Sequence, residues 1–474
     1  MFHVCKASTF YLSTHSMNFV ITTLKKWRSK GRRMATFNDL PAELLLEILA
    51  HTDLPTTHLW RFLGISKVIY SKIALLAHRK ELGDLCRELN FCHLPHSDCL
   101  RKFRSFLRTI SRREDLAPMV RSVVLASGWR TDTHGLYERT RTGRCNGDEK
   151  RLLEAGYRVG FSPDSPNCKD PKNRHKQSNL RAWRAFNWGI QSNHLGAELI
   201  LLFAMLPNLE SLTIDIQEQP SGLPWDRLLT SNTCSLANLK NLTLFGHPQQ
   251  GGSMPKGITD LSFLLGLPSL TSLRLCDLNW TSEGHLLPSH RPLNITSLIL
   301  DNCSMSASTF GILSSRIPAL KSFSFIIRNL SSNHKHLSMA TLATFINSHS
   351  STLEYLHVNI SSLLGDNAFH RALGSLASCV SLKSLDISPQ TLLGNHKFWS
   401  RGHRMEEYMP PSLEVLRIRK PIPDYLYRAI NSFAMSLATH PDRYSNFKTF
   451  ILPHDVYWSF PEMEMVGITV ARSK

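Results

Sequence analysis

The sequence predicts an α/β repeat solenoid, in which short parallel strands are backed by helices, preceded by a small unit of three helices. Three observations predict this fold class. A phrase of the form Leu-x-x-Leu-x-Leu recurs through the C-terminal half, helical segments separate its copies, and the segment 37–77 has an apolar pattern that is helical throughout. At 474 residues the chain is also too long for one ordinary compact core.

The segment 1–35 is predicted to be a disordered basic tail. It has no acidic residue, and six of the nine residues from Lys25 to Arg33 are basic. Such a segment also fits a transit-like presequence, a nuclear localisation patch, or a stretch upstream of a start at Met34. We favour the disordered tail.

The segment 36–80 is predicted to form three short helices. Pro41 suits a first helical turn, where its missing N–H would have no partner, and Glu43 complements the positive end of the helix dipole. The apolar residues that follow recur on one helical face: Leu40, Leu44, Leu45, Ile48 and Leu49. A unit of about 45 residues is too small to bury this face alone, so we expect something else to cover it.

These residues carry a resemblance. The order Leu40-Pro41-x-Glu43-Leu44-Leu45-x-Glu47-Ile48-Leu49, followed by Leu59, Ile65-Ser66-Lys67 and Tyr70, resembles the F-box, the module that docks onto the Skp adaptor of cullin-RING ubiquitin ligases. His58 stands where many F-boxes have an acidic residue. The resemblance implies an SCF-type substrate receptor whose partners are Skp and, through it, cullin. It implies these adaptor-binding residues: Leu40, Pro41, Leu44, Leu45, Ile48, Leu49, Leu59 and Ile65.

The rest of the chain carries the repeated phrase. The first apolar positions of its copies are Cys86, Val120, Leu209, Leu239, Leu270, Ile295, Leu320, Leu353, Leu382, Leu413 and Phe447. Successive copies from Leu209 onward are 25 to 34 residues apart, and four have a proline two residues before the first apolar position: Pro207, Pro268, Pro318 and Pro411. This pattern is typical of leucine-rich repeats, which stack into a horseshoe. The whole chain therefore resembles fungal-type F-box proteins with C-terminal leucine-rich repeats.

The predicted boundaries follow from these copies. The first repeats occupy 82–126 and the main array 195–460, with helices expected over 196–206, 339–349 and 425–438; residues 461–474 are a C-terminal tail. Between the two sets of repeats, 127–194 is rich in Gly, Pro, Asn and basic residues. We expect this segment to be an insertion that is partly ordered at most and runs over the surface.

Alternation along each strand assigns a target-binding face. Because successive side chains point to opposite faces of a strand, the residues between the buried leucines project onto the concave side of the horseshoe. The candidate contacts with an unknown protein substrate are Thr213, Asp215, Phe245, Arg274, Asp301, His357, Asn359, Asp386, Arg417 and Arg419.

Motifs for catalysis and cofactor binding are absent from the sequence. It contains no phosphate-binding glycine loop, dinucleotide fingerprint, zinc-protease motif or Gly-x-Ser-x-Gly elbow. Zinc is not favoured at the cluster of Cys86, Cys92, His93, His96 and Cys99, because adjacent Cys92 and His93 would leave a strand on opposite faces. We predict a non-catalytic receptor with no cofactor and no metal.

Charge and cysteine use suggest the compartment and the alternatives. The net charge of +18 permits nucleic acid as a partner, but a solvated helix at 101–113 and the flexible segments account for the surplus. No stretch approaches the length of a membrane span, and ten unevenly spaced cysteines fit a reducing compartment, the cytoplasm or nucleus. The alternative functions are a non-degradative F-box/repeat scaffold and, third, a basic protein associated with nucleic acid.

Overall fold

A computed structural model describes residues 88–90, 96–125, 148–161, 174–192, 195–215, 236–246, 262–280, 292–328, 338–360, 372–394, 404–420, 422, 424–454 and 461–473. The chain divides into two compact units. The first is Met1–Leu89 with Met119–Arg121, and the second is Asn90–Pro118 with Ser122–Lys474. The predicted F-box and its eight adaptor-binding residues lie outside the described residues.

Strands in the described residues are short and regularly spaced. They are β1 (Glu88–Asn90), β2 (Ser122–Leu125), β3 (Ser211–Asp215), β4 (Asn241–Phe245), β5 (Ser272–Cys276), β6 (Asn279–Trp280), β7 (Ser297–Asp301), β8 (Ser304–Met305), β9 (Ser322–Ile326), β10 (Tyr355–Asn359), β11 (Ser384–Ile387), β12 (Val415–Ile418), β13 (Thr449–Pro453) and β14 (Thr469–Ser473). From β2 to β14, apart from β6 and β8, neighbours in sequence are neighbours in one parallel sheet. The strands β6 and β8 pair separately.

Helices connect many of these strands. They are α1 (His96–Arg112), α2 (Asp148–Arg158), α3 (Arg174–Gln191), α4 (Leu195–Met205), α5 (Ser262–Leu265), α6 (Ala307–Arg316), α7 (Met339–Ser348), α8 (Pro389–Leu393), α9 (Asp424–Thr439) and α10 (Pro461–Met465). The three helices expected within the array correspond to α4, α7 and α9. No helix in the described ranges has the length and apolar character that crossing a membrane requires.

The predicted repeat register is confirmed by the strands. Each of the eleven predicted copies has a strand that begins two residues after its first apolar position, as Ser211 follows Leu209 and Thr449 follows Phe447. Apart from β6 and β8, the second and fourth residues of the strands from β3 to β13 are buried, and they are aligned across the sheet. Each fully buried Leu, Ile or Phe stabilises the fold by about 1.5–3 kcal/mol, so stability is spread along the array.

Helices pack against the apolar side of the sheet. In the middle of the array the ring of Phe345 on α7 lies 4.9 Å from Phe323 and 5.2 Å from Phe310 on α6. Phe310 in turn lies edge-on to Phe325 at 6.2 Å. Because these aromatic rings come from two helices and one strand, they join neighbouring repeats into one core.

Two segments of the predicted surface insertion, 148–161 and 174–192, form helices with buried residues. Its helices α2 and α3 pack against each other, α2 also packs against α1 and α4, and α3 packs against α4. Leu152, Ala155, Phe186 and Ile190 are buried, and a Cβ on Gly156 would come within 2.9 Å of the Phe186 ring. The expectation of a solvated excursion over these residues was therefore wrong, because sparse apolar residues at helical spacing bury one face of each helix.

The predicted C-terminal tail also belongs to the array in part. Strand β14 pairs in parallel with β13 from Thr449↔Thr469 to Pro453↔Ser473, and α10 packs on α9 and on β14. This twelfth copy lacks the leucine phrase, since its strand reads Thr-Val-Ala-Arg-Ser. As the last strand of the sheet it has one neighbour, which relaxes the need for large apolar residues.

A ladder of side chains explains part of the repeat signature. The amide of Asn238 donates to the carbonyl of Pro207 at 3.0 Å, and Asn294 donates to Pro268 at 2.7 Å. Asn208 makes the equivalent bond to Pro118 at 2.8 Å. In these three repeats the carbonyl of the proline accepts a hydrogen bond from the next repeat, which links neighbouring repeats.

Candidate protein-binding face of the repeat sheet

The parallel register brings side chains of successive repeats into rows. We call the side of the sheet that carries the first, third and fifth strand residues the polar face. Its third-position row runs Thr213, Thr243, Arg274, Ile299, Ser324, His357, Asp386, Arg417 and Ile451. Its fifth-position row runs Asp215, Phe245, Cys276, Asp301, Ile326 and Asn359.

The ten predicted target-binding residues divide by burial. Those that are partly exposed are Thr213, Phe245, Arg274, Asn359, Arg417 and Arg419. Asp301, His357 and Asp386 lie in the same rows but are buried. The side chain of Asp215 lies outside what the structure describes. The charged part of the face thus consists of partly exposed arginines beside buried acids, which alternation alone does not predict.

The first of two charged groups on this face is the Asp301 cluster, made of Arg274, Asp301 and Arg328. One carboxylate oxygen of Asp301 accepts from Arg274 Nη2 at 2.9 Å and from Arg328 Nη2 at 2.7 Å. The Asp301 side chain is 6% exposed, whereas those of Arg274 and Arg328 are 42% and 62% exposed. Two guanidinium groups therefore share one buried carboxylate and remain accessible to solvent.

The second group is the Asp386 cluster, made of His357, Asp386, Arg417 and Arg419. Arg419 donates from Nε and Nη2 to the two oxygens of Asp386, at 2.5 and 2.7 Å, and this bidentate pair raises the pKa of Arg419. Arg417 Nη1 lies 3.9 Å from the same carboxylate. The Asp386 side chain is 5% exposed and those of Arg417 and Arg419 are 43% and 35% exposed.

Ser324, His357 and Asp386 lie side by side on β9, β10 and β11, which invites comparison with a hydrolytic triad. Ser324 Oγ is 2.9 Å from His357 Nδ1, but His357 Nε2 is 4.0 Å from Asp386 Oδ2, too long for the hydrogen bond that orients a catalytic imidazole. Both oxygens of Asp386 already accept from Arg419. Burial also lowers the pKa of His357, against the opposing effect of Asp386. The three residues thus fit a buried polar contact better than a nucleophilic site.

A second row of charges, which the sequence analysis missed, lies at the start of the strands. It is the Lys–Glu ladder: Lys240 to Glu210 at 3.0 Å, Lys321 to Glu354 at 3.3 Å, Lys383 to Glu354 at 3.1 Å and Lys448 to Glu414 at 2.6 Å. Hydrogen bonds from lysine lower the pKa of Glu354 and of Glu414. The signal was present in the sequence, because the residue after the first apolar position of these copies is always Glu or Lys.

The basic helix over 101–113 is less solvated than predicted. Arg104 Nε on α1 donates to both carboxylate oxygens of Glu198 on α4, at 3.1 and 3.0 Å, and Glu198 is buried. Arg108 donates to the buried Asp148 of α2 at 3.1 Å. Arg104 and Arg108 of α1 therefore form ion pairs that connect α1 to α4 and to α2.

The cluster considered for zinc falls largely outside the description of the structure. Cys86, Cys92 and His93 lie outside the described residues, and for His96 and Cys99 only the backbone of α1 is described.

Comparison of the chain with models of known protein families finds no match, and comparison with curated proteins finds no relative. The described residues form a parallel α/β sheet that is compatible with a repeat solenoid and has a charged face.

Proposed function

We propose that the protein is a substrate-receptor subunit of an SCF-type ubiquitin ligase. In this proposal residues 37–77 dock onto the Skp adaptor and the polar face of the repeat array holds a target protein. The protein itself supplies no catalytic group. It raises the effective concentration of the target near a ubiquitin-charged enzyme, so that lysines of the target are modified.

Two independent observations support the two halves of this proposal. The adaptor half rests on the resemblance of 37–77 to the F-box. The target half rests on the parallel array, whose polar face presents partly exposed arginines across neighbouring repeats. A regular sheet with repeated, partly exposed side chains suits the recognition of an extended protein surface. The observation that carries the target half is the pair of arginine–aspartate clusters.

The adaptor half is tested by co-expression of the full chain with the Skp adaptor and measurement of their co-purification. A Leu44→Asp, Ile48→Asp double variant introduces two charges on the predicted adaptor face. We expect the wild type to form a stoichiometric complex and the double variant to lose it, because buried carboxylates without partners are strongly unfavourable at an interface.

The matched control is a Glu43→Gln, Glu47→Gln double variant, which alters the opposite side of the same predicted helix. It should retain the adaptor. Circular dichroism of all three proteins establishes that each is folded. If folded wild type does not bind the adaptor, or if the Leu44→Asp, Ile48→Asp variant binds it as well as wild type does, the ligase proposal is wrong.

A non-degradative scaffold is the second candidate, favoured by the fact that the described array needs no ligase to bind a target. The two candidates differ in what accompanies the bound target. A receptor immunoprecipitates with cullin and with polyubiquitinated species, whereas a scaffold immunoprecipitates with the target alone. Association with nucleic acid is the third candidate, and α1 weakens it because Arg104 and Arg108 are paired with buried acids.

A further inference from the structure

We propose that the polar face binds an extended acidic segment of its target, with one carboxylate side chain at the Asp301 cluster and a second, four residues away, at the Asp386 cluster. This inference rests on the proposed function in one respect only, that the face binds a protein. It adds the chemical class of the segment and the spacing of its charges.

The first argument is charge. The Asp301 cluster has two guanidinium groups and one carboxylate, and so do Arg417, Arg419 and Asp386 of the second cluster. Each cluster therefore has a net charge of +1 when His357 is neutral, which its lowered pKa favours. One carboxylate neutralises one cluster. A phosphate group, at about −1.5 to −2, would leave an excess of negative charge beside a buried aspartate.

The second argument is preorganisation. Asp301 and Asp386 are nearly inaccessible and hold arginine side chains that remain a third or more exposed. Because these guanidinium groups are already oriented, less side-chain entropy is lost when a ligand binds them. In addition, the Nε of Arg274 is buried and has no hydrogen-bond partner among the described residues.

The third argument is spacing. Asp301 is on β7 and Asp386 on β11, and β9 and β10 lie between them in the sheet. With neighbouring strands about 4.8 Å apart, three steps across the sheet and a two-residue offset along the strands separate the two acids by about 16 Å. An extended peptide rises about 3.3 Å per residue, so residues i and i+4, about 13 Å apart and on the same side, are the same-side pair closest to this distance.

The region between the clusters accommodates the rest of such a peptide. It holds Ser324 and His357 in the third-position row and partly exposed Ile326 in the fifth-position row. His357 Nε2 is buried and has no hydrogen-bond partner within the described part of the chain. The row continues as Thr213 and Thr243 on one side and Ile451 on the other, without charge. Among the described third-position residues the cations are therefore confined to β5–β12.

The test measures binding of the purified full chain, without adaptor, to a fluorescein-labelled peptide of Gly, Ser and Asn with Glu at positions i and i+4. The test variant is Arg274→Gln, Arg417→Gln. It makes each cluster neutral while Arg328 and Arg419 still pair with the buried acids, so the fold is preserved. The matched control is Lys240→Gln, Lys448→Gln, which removes the same charge from the Lys–Glu ladder.

We expect the test variant to bind the peptide about tenfold or more weakly than wild type, as loss of hydrogen bonds to a charged group predicts, and the control variant to match wild type within about twofold. A peptide with both Glu replaced by Gln should not bind, and one with Glu at i and i+1 should bind more weakly. Equal binding of the Gln peptide, or equal loss in both variants, overturns the inference.

Two competitors identify other ligand classes. Tighter binding of a peptide with phosphoserine at i and i+4, or of a single-stranded oligonucleotide, also overturns the inference and assigns the face to that ligand. The adaptor is absent from this assay, so its outcome is separate from that of the co-purification. Failure of peptide binding with an intact Skp complex removes this inference alone, and the reverse result removes only the ligase proposal.

Discussion

The sheet carries two charged rows that differ in burial. The Lys–Glu ladder lies at the start of the strands, and at least one partner of each pair is exposed. The Asp301 and Asp386 clusters lie at the middle and end of the strands, and their acids are almost fully buried. Both arise because the parallel register places residues of neighbouring repeats side by side.

Because they differ in burial, the ion pairs of the two rows contribute differently to stability. Exposed pairs contribute little, since solvent and salt screen them. A buried carboxylate that loses its cations is destabilised by several kcal/mol in general. The ladder therefore adds little to stability, whereas the buried acids of the clusters hold arginines in fixed positions at the surface.

The largest effect is expected from Asp386→Ala. This change removes the buried acceptor of the two hydrogen bonds from Arg419, while the partly exposed Arg417 and Arg419 can be solvated, so it should lower the free energy of unfolding by about 1.5 to 3 kcal/mol. Urea denaturation followed by circular dichroism measures it. The matched control is Glu414→Ala, which removes an acid of the Lys–Glu ladder. Glu414 immediately precedes β12, the strand next to β11, and its loss should change stability far less. Equal losses in the two variants would contradict the assigned difference in burial.

A smaller effect is expected from pH. Burial lowers the pKa of His357 and of His349 from the ordinary value of 6.5, so below that pH the unfolded chain takes up protons that the native chain does not. Stability that is complete above pH 6.5 is therefore lost as the pH falls toward the lowered values. Glu354 and Glu414, with pKa values lowered from 4.5, contribute only at more acidic pH.

The measurement is the urea midpoint of wild type and of His357→Gln between about pH 7 and pH 5, where histidines of ordinary pKa titrate. The wild type should lose stability more steeply than the variant as the pH falls. His349→Gln gives the corresponding contribution of the second histidine. Parallel curves for wild type and His357→Gln would show that His357 titrates alike in the folded and unfolded chains.

The smallest effect is expected from the ladder. Lys383→Gln removes one of the two lysines on Glu354, and Lys321 remains. We expect no change in the urea midpoint beyond experimental error, and no added sensitivity to salt, because exposed pairs are already screened. A loss of stability as large as that of Asp386→Ala would place the ladder among the structural contacts of the core.

Much of the array could be predicted from the sequence, because the same apolar spacing recurs and its strands begin at a fixed offset from it. The polar face could be assigned by alternation alone. Its clusters could not, because Arg328 lies beyond the strand core and only the three-dimensional register shows that it shares Asp301 with Arg274. The packing of α2 and α3 was missed because it depends on contacts of α2 with α1 and α4, which are separated from α2 by at least 35 residues.

We propose two separable binding surfaces on one chain. Immunoprecipitation of three full-length proteins from the same cells tests this separation: wild type, Leu44→Asp with Ile48→Asp, and Arg274→Gln with Arg417→Gln. We expect the first double variant to lose cullin and keep the bound target, and the second to keep cullin and lose the target. If both variants keep both partners, or both lose the same partner, the division into an adaptor surface and an acidic-segment surface is contradicted.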